Sequence, residues 1–164
     1  MRPEILDMCC GSRQFWFNPW DKRAVFCDIR CGEYPISDRV VTVRPDLVCD
    51  FRALPFPDAS FSLVVFDPPH LRWAGPRSRM AAKYGVLAKG TWRDDLRRGF
   101  EEAWRVLRPG GTLIFKWNEN DVKVRTLVDL FPEPPAFGHP TGRHGKTHWM
   151  TFFKSERQDG NDKG

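Results

Sequence analysis

The stretch SLVVFDPPH, residues 62–70, joins a short apolar run to an acid and two prolines. A continuous apolar run of this length, stopped by turn residues, is typical of a strand that a parallel sheet buries on both faces. Proline has no N–H and a fixed φ, so Pro68 and Pro69 end the strand and stiffen the turn. The stretch therefore predicts a buried strand over 62–67 whose end presents Asp67.

Three shorter apolar runs earlier in the chain follow the same pattern. They predict strands over 4–8, 24–28 and 47–50, and each run contains an acid at or near its end. The carboxyl ends of parallel strands meet at one edge of a sheet, where doubly wound proteins bind their ligands. Four acids are therefore expected along one edge, as parts of a ligand site. They are Asp7, Asp28, Asp50 and Asp67.

The second half of the chain alternates in the same way. Apolar residues at spacings of three and four predict a helix over 93–107, and the RPGG stretch at 108–111 is expected to end it. Strands that alternate with helices predict an α/β fold with a doubly wound, mostly parallel sheet. The elements expected after this stretch are a strand, a helix and a hairpin, over 112–117, 121–131, and 135–139 with 148–154.

Length and composition bound the class of protein. A chain of 164 residues with 41% hydrophobic and 29% charged residues is typical of one globular domain, expected over 1–154, with a disordered tail over 155–164. The chain has no run of 18 apolar residues and no signal-peptide pattern, so a membrane span is excluded and a cytoplasmic protein is predicted. Five cysteines without a CxxC pair and four scattered histidines predict free thiols and no metal site.

Positive charge is concentrated in one segment. The net charge is +5, and the segment 71–99 contains eight basic residues against two acids. Such a segment indicates an anionic partner, most often nucleic acid, although a solvated loop and helix face would have the same composition. Aromatic residues among the cations favour stacking on unpaired bases. Candidate substrate-binding residues are Arg72, Trp73, Arg77, Arg79, Lys83 and Tyr84 in this segment, with Lys116 and Asn118 at the end of a later strand.

The order of these motifs resembles a known family. The stretch ILDMCCG at 5–11, the acids Asp28 and Asp50, the DPPH turn and the stretch LRPGG at 107–111 are together similar to class I, Rossmann-like S-adenosylmethionine-dependent methyltransferases. The pattern is especially similar to small methyltransferases of phages and prophages. The resemblance covers residues 4–154 and implies a seven-stranded sheet whose last strand is antiparallel.

The resemblance implies a binding site for S-adenosyl-L-methionine. In the family, a glycine turn after the first strand receives the methionine carboxylate, and acids after the next two strands meet the ribose hydroxyls and the adenine amino group. The chain departs from the family in its single glycine, Gly11, and in a short connection containing Pro19, which predicts an abbreviated first helix. The residues expected to bind the cofactor are Asp7, Cys9, Cys10, Gly11, Asp28, Asp50, Phe51 and Asp67.

The DPPH turn resembles the Asp/Asn-Pro-Pro-aromatic motif of methyltransferases that modify amino groups. An exocyclic amine is a poor nucleophile because its lone pair is delocalised, and a carboxylate with a carbonyl can accept both N–H groups and aim the lone pair. The resemblance implies methylation of adenine N6 or cytosine N4. His70 replaces the usual aromatic residue and is expected either to stack on the base or to accept a proton. The expected catalytic residues are Asp67, Pro68, Pro69 and His70.

Other functions remain open for the same residues. A related Asn-Pro-Pro motif serves glutamine methylation, so a protein side-chain amide or a small molecule is an alternative acceptor, and a non-catalytic nucleic-acid-binding module is another alternative. A nicotinamide-dependent oxidoreductase is disfavoured because the chain lacks G-x-G-x-x-G. No segment resembles a target-recognition domain. A homodimer or a protein partner is therefore expected to supply target recognition to an enzyme acting on DNA or RNA.

Overall fold

The computed structural model describes residues 2–36, 39–75, 78–142 and 144–156. Most of the predicted tail, from residue 157 onward, lies outside these ranges. The strands are β1 Ile5–Asp7, β2 Ala24–Asp28, β3 Gly32–Ile36, β4 Arg39–Val43, β5 Leu47–Val48, β6 Phe61–Phe66, β7 Leu107–Asn118, β8 Phe137–Thr141 and β9 Thr147–Phe153, and the helices are α1 Arg79–Tyr84, α2 Trp92–Val106 and α3 Val124–Val128.

Within the described residues, seven strands form one sheet in the order β5-β2-β1-β6-β7-β9-β8, and β3 and β4 form a separate hairpin. β1 pairs in parallel with β2 and β6, whereas β9 runs antiparallel to β7 and β8. The chain winds outward in both directions from β1, which creates the switch point where doubly wound sheets open a ligand crevice. The predicted doubly wound, mostly parallel sheet is confirmed, and so is the terminal hairpin.

Helix α2 lies where its apolar spacing predicts it. Leu96, Phe100 and Ala103 are fully buried along one face of the helix, which packs on β6 and β7. Asp94 and Asp95 lie in the first turn, where negative charge stabilises the positive end of the helix dipole. Helix α3 contributes to the same core, so both helices cover one face of the sheet.

The RPGG stretch at 108–111 follows the end of α2, as expected, but the strand predicted over 112–117 already begins before this stretch. Strand β7 begins at Leu107, directly after α2, because Leu107 pairs with Phe61 of β6. The N–H of Gly110 donates to the carbonyl of Lys154, which continues the pairing with the chain that follows β9. The pairing with β6 shifts register across this stretch and Gly110 has a φ of +74°, so the stretch is an irregular first part of a long strand.

Two other elements differ from expectation. The helix predicted over 121–131 shortens to α3. The indole N–H of Trp117 donates to the carbonyl of Val122, an acceptor that a longer helix would use for its own backbone. The β3–β4 hairpin was not predicted, and it tolerates Pro35 because a two-stranded ribbon leaves free edges. No helix of the described residues is long and apolar enough to cross a membrane.

The face of the sheet opposite α2 is covered by the connection from Met8 to Arg23. The expected short helix is absent from this connection, which is organised by Arg13 instead. The guanidinium of Arg13 donates to the carbonyl of Pro19 and to Asp46, and it lies 3.8 Å from the ring centroid of Phe26. The aromatic residues of the connection face a groove of about 450 Å³, lined by Phe15, Trp16, Phe17, Asn18, Asp21, Arg23, Val65, Ile114 and Trp149.

Candidate active site

A cavity of about 390 Å³ opens at the carboxyl ends of β1, β2 and β6. Its wall is formed by the loops after these strands, the loop after β5, the end of α1 and one side chain of β7. The predicted cofactor side and the predicted acceptor side therefore share one cavity. Of the residues predicted from the sequence, it brings together Cys9, Cys10, Gly11, Asp28, Phe51, Asp67, Pro68, Pro69, Lys83, Tyr84 and Lys116.

The loop after β1 is joined to the end of β2 by a hydrogen bond. Gly11 has a φ of +50°, and its N–H donates to Oδ2 of Asp28 over 2.9 Å. Glycine adopts this left-handed conformation without the steric cost of a Cβ. Arg30 donates its backbone N–H and its Nε to Oδ1 of Asp28, at 2.9 and 3.2 Å. Asp28 is thus held as an oriented carboxylate in the cavity wall.

Asp7 lies beneath this loop and is not among the cavity-lining residues. Its carboxylate accepts hydrogen bonds from the N–H of Cys9 at 3.2 Å and from Nε1 of Trp16 at 2.7 Å. Burial raises the pKa of Asp7 to about 7, and the two hydrogen bonds oppose that shift. Burial also raises the pKa of Cys10 to about 12, so this thiol stays protonated. Asp7 therefore anchors the loop from below.

The loop after β5 presents an aromatic ring to the cavity, while its acid, Asp50, pairs with an arginine outside the cavity. Oδ2 of Asp50 lies 2.6 Å from Nη2 of Arg52, and Arg52 also pairs with Asp95 of α2. Phe51 lines the cavity and Asp50 does not. The Phe51 ring packs against Phe66, with the ring centroids 5.3 Å apart. The structure thus brings Phe51, rather than Asp50, to the predicted cofactor side of the cavity.

A close helix approach fixes the Phe51 ring. Gly99 of α2 leaves no room for a Cβ, which would lie 2.6 Å from ring atoms of both Phe51 and Phe66. Real Cβ atoms do not approach other heavy atoms so closely, so a larger residue would displace one of the rings. Gly99 therefore sets the depth at which Phe51 lies.

The DPP turn forms the opposite wall. Oδ2 of Asp67 accepts a hydrogen bond from Nζ of Lys116 over 2.6 Å. Burial raises the pKa of Asp67, and the ammonium of Lys116 opposes that shift. Gly85 follows α1 with a φ of +78° and passes over Pro69, so that a Cβ at Gly85 would lie 3.3 Å from Cγ of Pro69. The acid is therefore enclosed between β7 and the segment after α1.

His70 lies behind the cavity wall. It is buried, and its ring centroid lies 5.4 Å from that of Tyr84 and 6.3 Å from that of Trp117. Burial lowers the pKa of His70, and the nearby Lys116 lowers it further, so the imidazole is neutral at pH 7. Tyr84 occupies the cavity side of this ring pair. It is the aromatic side chain of the pair that a planar ligand can reach.

Two predicted substrate residues are engaged outside the cavity. Nη2 of Arg72 lies 2.8 Å from Oδ1 of Asp121, and its backbone N–H donates to the same carboxylate. Asn118 donates from Nδ2 to the hydroxyl of Thr147 over 3.1 Å. These contacts tie the segment after the DPP turn and the hairpin to the end of β7.

The other predicted substrate residues differ in position. Trp73 is 74% exposed and lies outside the cavity, whereas Nζ of Lys83 lies at the cavity 4.8 Å from the ring centroid of Tyr84. Arg77 lies outside the described residues, and so does the side chain of Arg79, the first residue of α1. The end of α1 is thus the part of the basic segment that reaches the cavity.

Comparisons with known proteins were made at the level of sequence and of structure. Neither family models nor curated protein sequences match the chain. A solved structure from Pyrococcus horikoshii matches with 16% identity and a TM-score of 0.57, covering 94% of this chain and 83% of that one. A SAM-dependent methyltransferase from Methanosarcina mazei matches with 15% identity and a TM-score of 0.56, covering 95% of this chain and 94% of that one.

A third solved structure is a Burkholderia thailandensis enzyme with two bound molecules. This 1,6-didemethyltoxoflavin-N1-methyltransferase, with 1,6-didemethyltoxoflavin and S-adenosylhomocysteine bound, matches with 16% identity and a TM-score of 0.55, covering 94% of this chain and 72% of that one. The chain has the Rossmann-like methyltransferase fold.

Within this methyltransferase fold, sequence reasoning overlooked several cavity-lining residues. Gln14, Phe15, Arg30 and Gly85 are among them. The signal available for Arg30 was its position two residues after a strand-ending Asp, because an Asp side chain often accepts the backbone N–H at that spacing. Phe15 had no such signal, since its place depends on the replacement of the first helix. No group of three metal-binding side chains occurs in the part of the chain that the structure describes.

Proposed function

We propose that the protein is an enzyme that uses S-adenosyl-L-methionine to methylate an exocyclic amino group of a nucleic-acid base, adenine N6 or cytosine N4. One observation supports this proposal above the others. The Asp67-Pro68-Pro69 turn lines the same cavity as Gly11, Asp28 and Phe51. An amine held by the turn lies next to a cofactor held by the loops.

The cavity fits the proposed cofactor. A volume of about 390 Å³ lies within the range of small-molecule sites. Phe51 offers a ring face to adenine, Asp28 offers acceptors to the ribose hydroxyls, and the loop around Gly11 surrounds the methionine end. When bound, the cofactor supplies a sulfonium methyl group, which an acceptor nitrogen takes with its lone pair while the C–S electrons return to sulfur. Asp50, bound by Arg52, supports the Phe51 loop from outside the cavity.

The contribution of the chain to the chemistry is positioning. Asp67 accepts one N–H of the acceptor amine and the Pro68 carbonyl accepts the other, which localises the nitrogen lone pair towards the methyl group. The double-proline turn keeps these acceptors fixed, because both φ angles are locked. The proton lost on methylation passes to solvent. We assign no proton transfer to His70, because it lies behind the wall.

Recognition of the base falls to the end of α1. Tyr84 stacks on the acceptor base, with His70 packed behind it. Lys83 is half-buried beside the Tyr84 ring, where its ammonium suits a backbone phosphate. An aromatic ring next to a cation favours an unpaired strand of DNA or RNA.

Two further statements complete the proposal. We also propose that a second copy of the chain or another protein supplies target recognition. The protein acts in the cytoplasm, and its five free thiols are consistent with a reducing compartment.

A small molecule is the second candidate acceptor. The Burkholderia thailandensis neighbour acts at a nitrogen, as an N1-methyltransferase bound to 1,6-didemethyltoxoflavin. The cavity of this chain, with Tyr84 and Phe51 in its wall, would also accept a free planar molecule. Asp67 would hold such an acceptor in the same way, so the two candidates share their chemistry.

Incubation with methyl-labelled cofactor tests the function. The purified protein is offered separate pools of single-stranded DNA, RNA, protein and small metabolites. We expect label on adenine N6 or cytosine N4 after digestion of the nucleic acid, and none with Asp67→Ala. Label in the protein or small-molecule pool would mean that the acceptor is a protein side chain or a small molecule instead of a base. Oligonucleotide binding without cofactor binding in calorimetry would indicate a non-catalytic nucleic-acid-binding module.

A further inference from the structure

Asp67 and Lys116 meet because of the register of the sheet. Phe66 of β6 pairs with Phe115 of β7, so the next residue of each strand lies at the same carboxyl edge. Nζ of Lys116 is 2.6 Å from Oδ2 of Asp67, and the two side chains are 23% and 14% exposed. The ion pair is therefore largely shielded from solvent.

Two aromatic rings hold the lysine in place. Nζ of Lys116 lies 5.5 Å from the ring centroid of Phe15 and 5.6 Å from that of Trp149. The two rings meet edge to face, with their centroids 5.7 Å apart. A cation at this distance from an aromatic face is attracted by the ring quadrupole. The rings therefore keep the ammonium beside the DPP turn.

The two oxygens of Asp67 have different surroundings. Oδ2 accepts the hydrogen bond from Lys116, whereas no donor among the described residues is bound to Oδ1. Asp67 also lines the cavity. Its carboxylate therefore keeps one oxygen available for a ligand.

We propose that Lys116 is a positioning residue for Asp67, which keeps the carboxylate ionised, fixes Oδ2 and leaves Oδ1 to accept the N–H of the acceptor amine. The identity of that acceptor rests on the proposed function. An ionised carboxylate forms shorter and stronger hydrogen bonds than a neutral acid, so its charge matters for holding the amine. Lys116 thus acts through Asp67 rather than as a direct substrate contact.

The electrostatic surroundings support this role. Burial raises the pKa of Asp67, and Lys116 opposes the shift. The other titratable groups that face the pair are Asp7 at the end of β1, Cys9 in the next loop and His70 in the same turn. Burial raises the pKa of Asp7 to about 7, raises that of Cys9 and lowers that of His70, so none of the three adds positive charge at neutral pH. Among these groups, Lys116 is the one that supplies positive charge.

A carbon-13 titration of the Asp67 carboxyl group in the whole protein tests the proposal without turnover. The resonance is assigned with Asp67→Asn and followed in the wild type, Lys116→Met and Lys116→Arg. An opposite charge at this distance typically lowers a carboxyl pKa by about 1–3 pH units, so Lys116→Met should raise the pKa of Asp67 by that amount and Lys116→Arg should preserve it. Lys123→Met is the control, because it removes the same charge from an exposed lysine that pairs with Glu119 and not with Asp67.

Two outcomes would overturn the proposal. One is an unchanged Asp67 titration in Lys116→Met, and the other is an equal shift in Lys123→Met. Should circular dichroism show that Lys116→Met does not fold, Lys116→Gln replaces it. Glutamine keeps a hydrogen-bond donor without the charge, so the same rise in the pKa of Asp67 is expected.

Turnover provides a second readout. The acid limb of the pH profile of kcat/KM reports the ionisation of Asp67. This limb should move to higher pH in Lys116→Met and lie at the wild-type pH in Lys116→Arg. A limb that stays in place in Lys116→Met would contradict the positioning role. If the wild type methylates no acceptor, the proposed function fails, and the carbon-13 titration still decides whether Lys116 controls Asp67.

Discussion

The loop after β2 and the turn after β6 each hold an acid against a cation, but in different ways. Asp28 pairs with Arg30, two residues away in the same loop. Asp67 pairs with Lys116 of the neighbouring strand, 49 residues further along the chain. A local pair can form whenever its loop forms, whereas the second pair requires β6 and β7 in register. The pair at Asp28 therefore depends on its own loop, whereas the pair at Asp67 depends on the folded sheet. The Asp28 side of the cavity is the proposed cofactor wall, and the Asp67 side is the proposed acceptor wall.

Removing the acid of the acceptor wall should have the largest effect. Asp67→Ala should lower kcat by roughly 10²–10³, equal to about 3–4 kcal/mol, because it removes a group that stabilises the transition state. Cofactor affinity measured by calorimetry should stay near that of the wild type. Asp67→Asn should be milder, since its amide oxygen still accepts a hydrogen bond. Full turnover in Asp67→Ala would refute the acceptor role.

Removing the acid of the cofactor wall should act on binding. Asp28→Ala should weaken cofactor binding by roughly 10–100-fold, because a hydrogen bond to a charged group contributes about 1.5–3 kcal/mol. Asp50→Ala is the matched control, with the same local pairing to Arg52 but a position outside the cavity. Calorimetry should show a much smaller change for it. Equal losses of cofactor affinity in the two variants would instead indicate that Asp50 contacts the adenine of the cofactor.

A third substitution tests the support of the cofactor wall from α2. Gly99→Ala should lower the free energy of unfolding by about 1–2 kcal/mol, because its Cβ would overlap the rings of Phe51 and Phe66. Displacement of Phe51 should also weaken cofactor binding modestly. Gly90→Ala is the control, since a Cβ there meets nothing within 4 Å. Urea unfolding that shows no difference between the two variants would mean that α2 shifts without strain.

The smallest effect on binding is expected at the end of α1, on the acceptor side of the cavity. The logarithm of oligonucleotide affinity falls linearly with the logarithm of salt concentration. Lys83→Ala should reduce the slope of that line by about one, as expected for the loss of one phosphate contact. Lys22→Ala, at an exposed position before β2, should leave the slope unchanged. Filter binding over a range of salt concentrations measures both. An identical slope for Lys83→Ala and the wild type would remove Lys83 from the interface.

Much of the fold was predictable because its signals are local. The run over 62–67 is apolar enough to identify a buried strand by itself, and the spacing in α2 identifies its buried face. The β3–β4 hairpin escaped prediction because Gly32 and Pro35 are residues typical of loops. The missing first helix was only partly foreseen, since its replacement depends on Arg13, which also bonds Arg44 and Asp46, more than 30 residues away.

The residues of the candidate site also divide into those with a local sequence signal and those without one. Gly11, Asp28 and Asp67 were predicted from motifs and line the cavity. The partner of Asp67 was not predicted, because it depends on the register between two strands. The positions of His70 behind the cavity wall and of Tyr84 in it were also not predicted, because they depend on where α1 ends.

The central place of β1 has a consequence for the nascent chain. Ile5 pairs with Leu63, so after β1 is synthesised roughly 60 more residues must be added before its second neighbour exists. At synthesis rates of about 5–20 residues per second, that interval lasts about 3–12 s. During it, β2 is the neighbour already made, and pairing of β1 with β2 shields one edge of the apolar strand until β6 emerges.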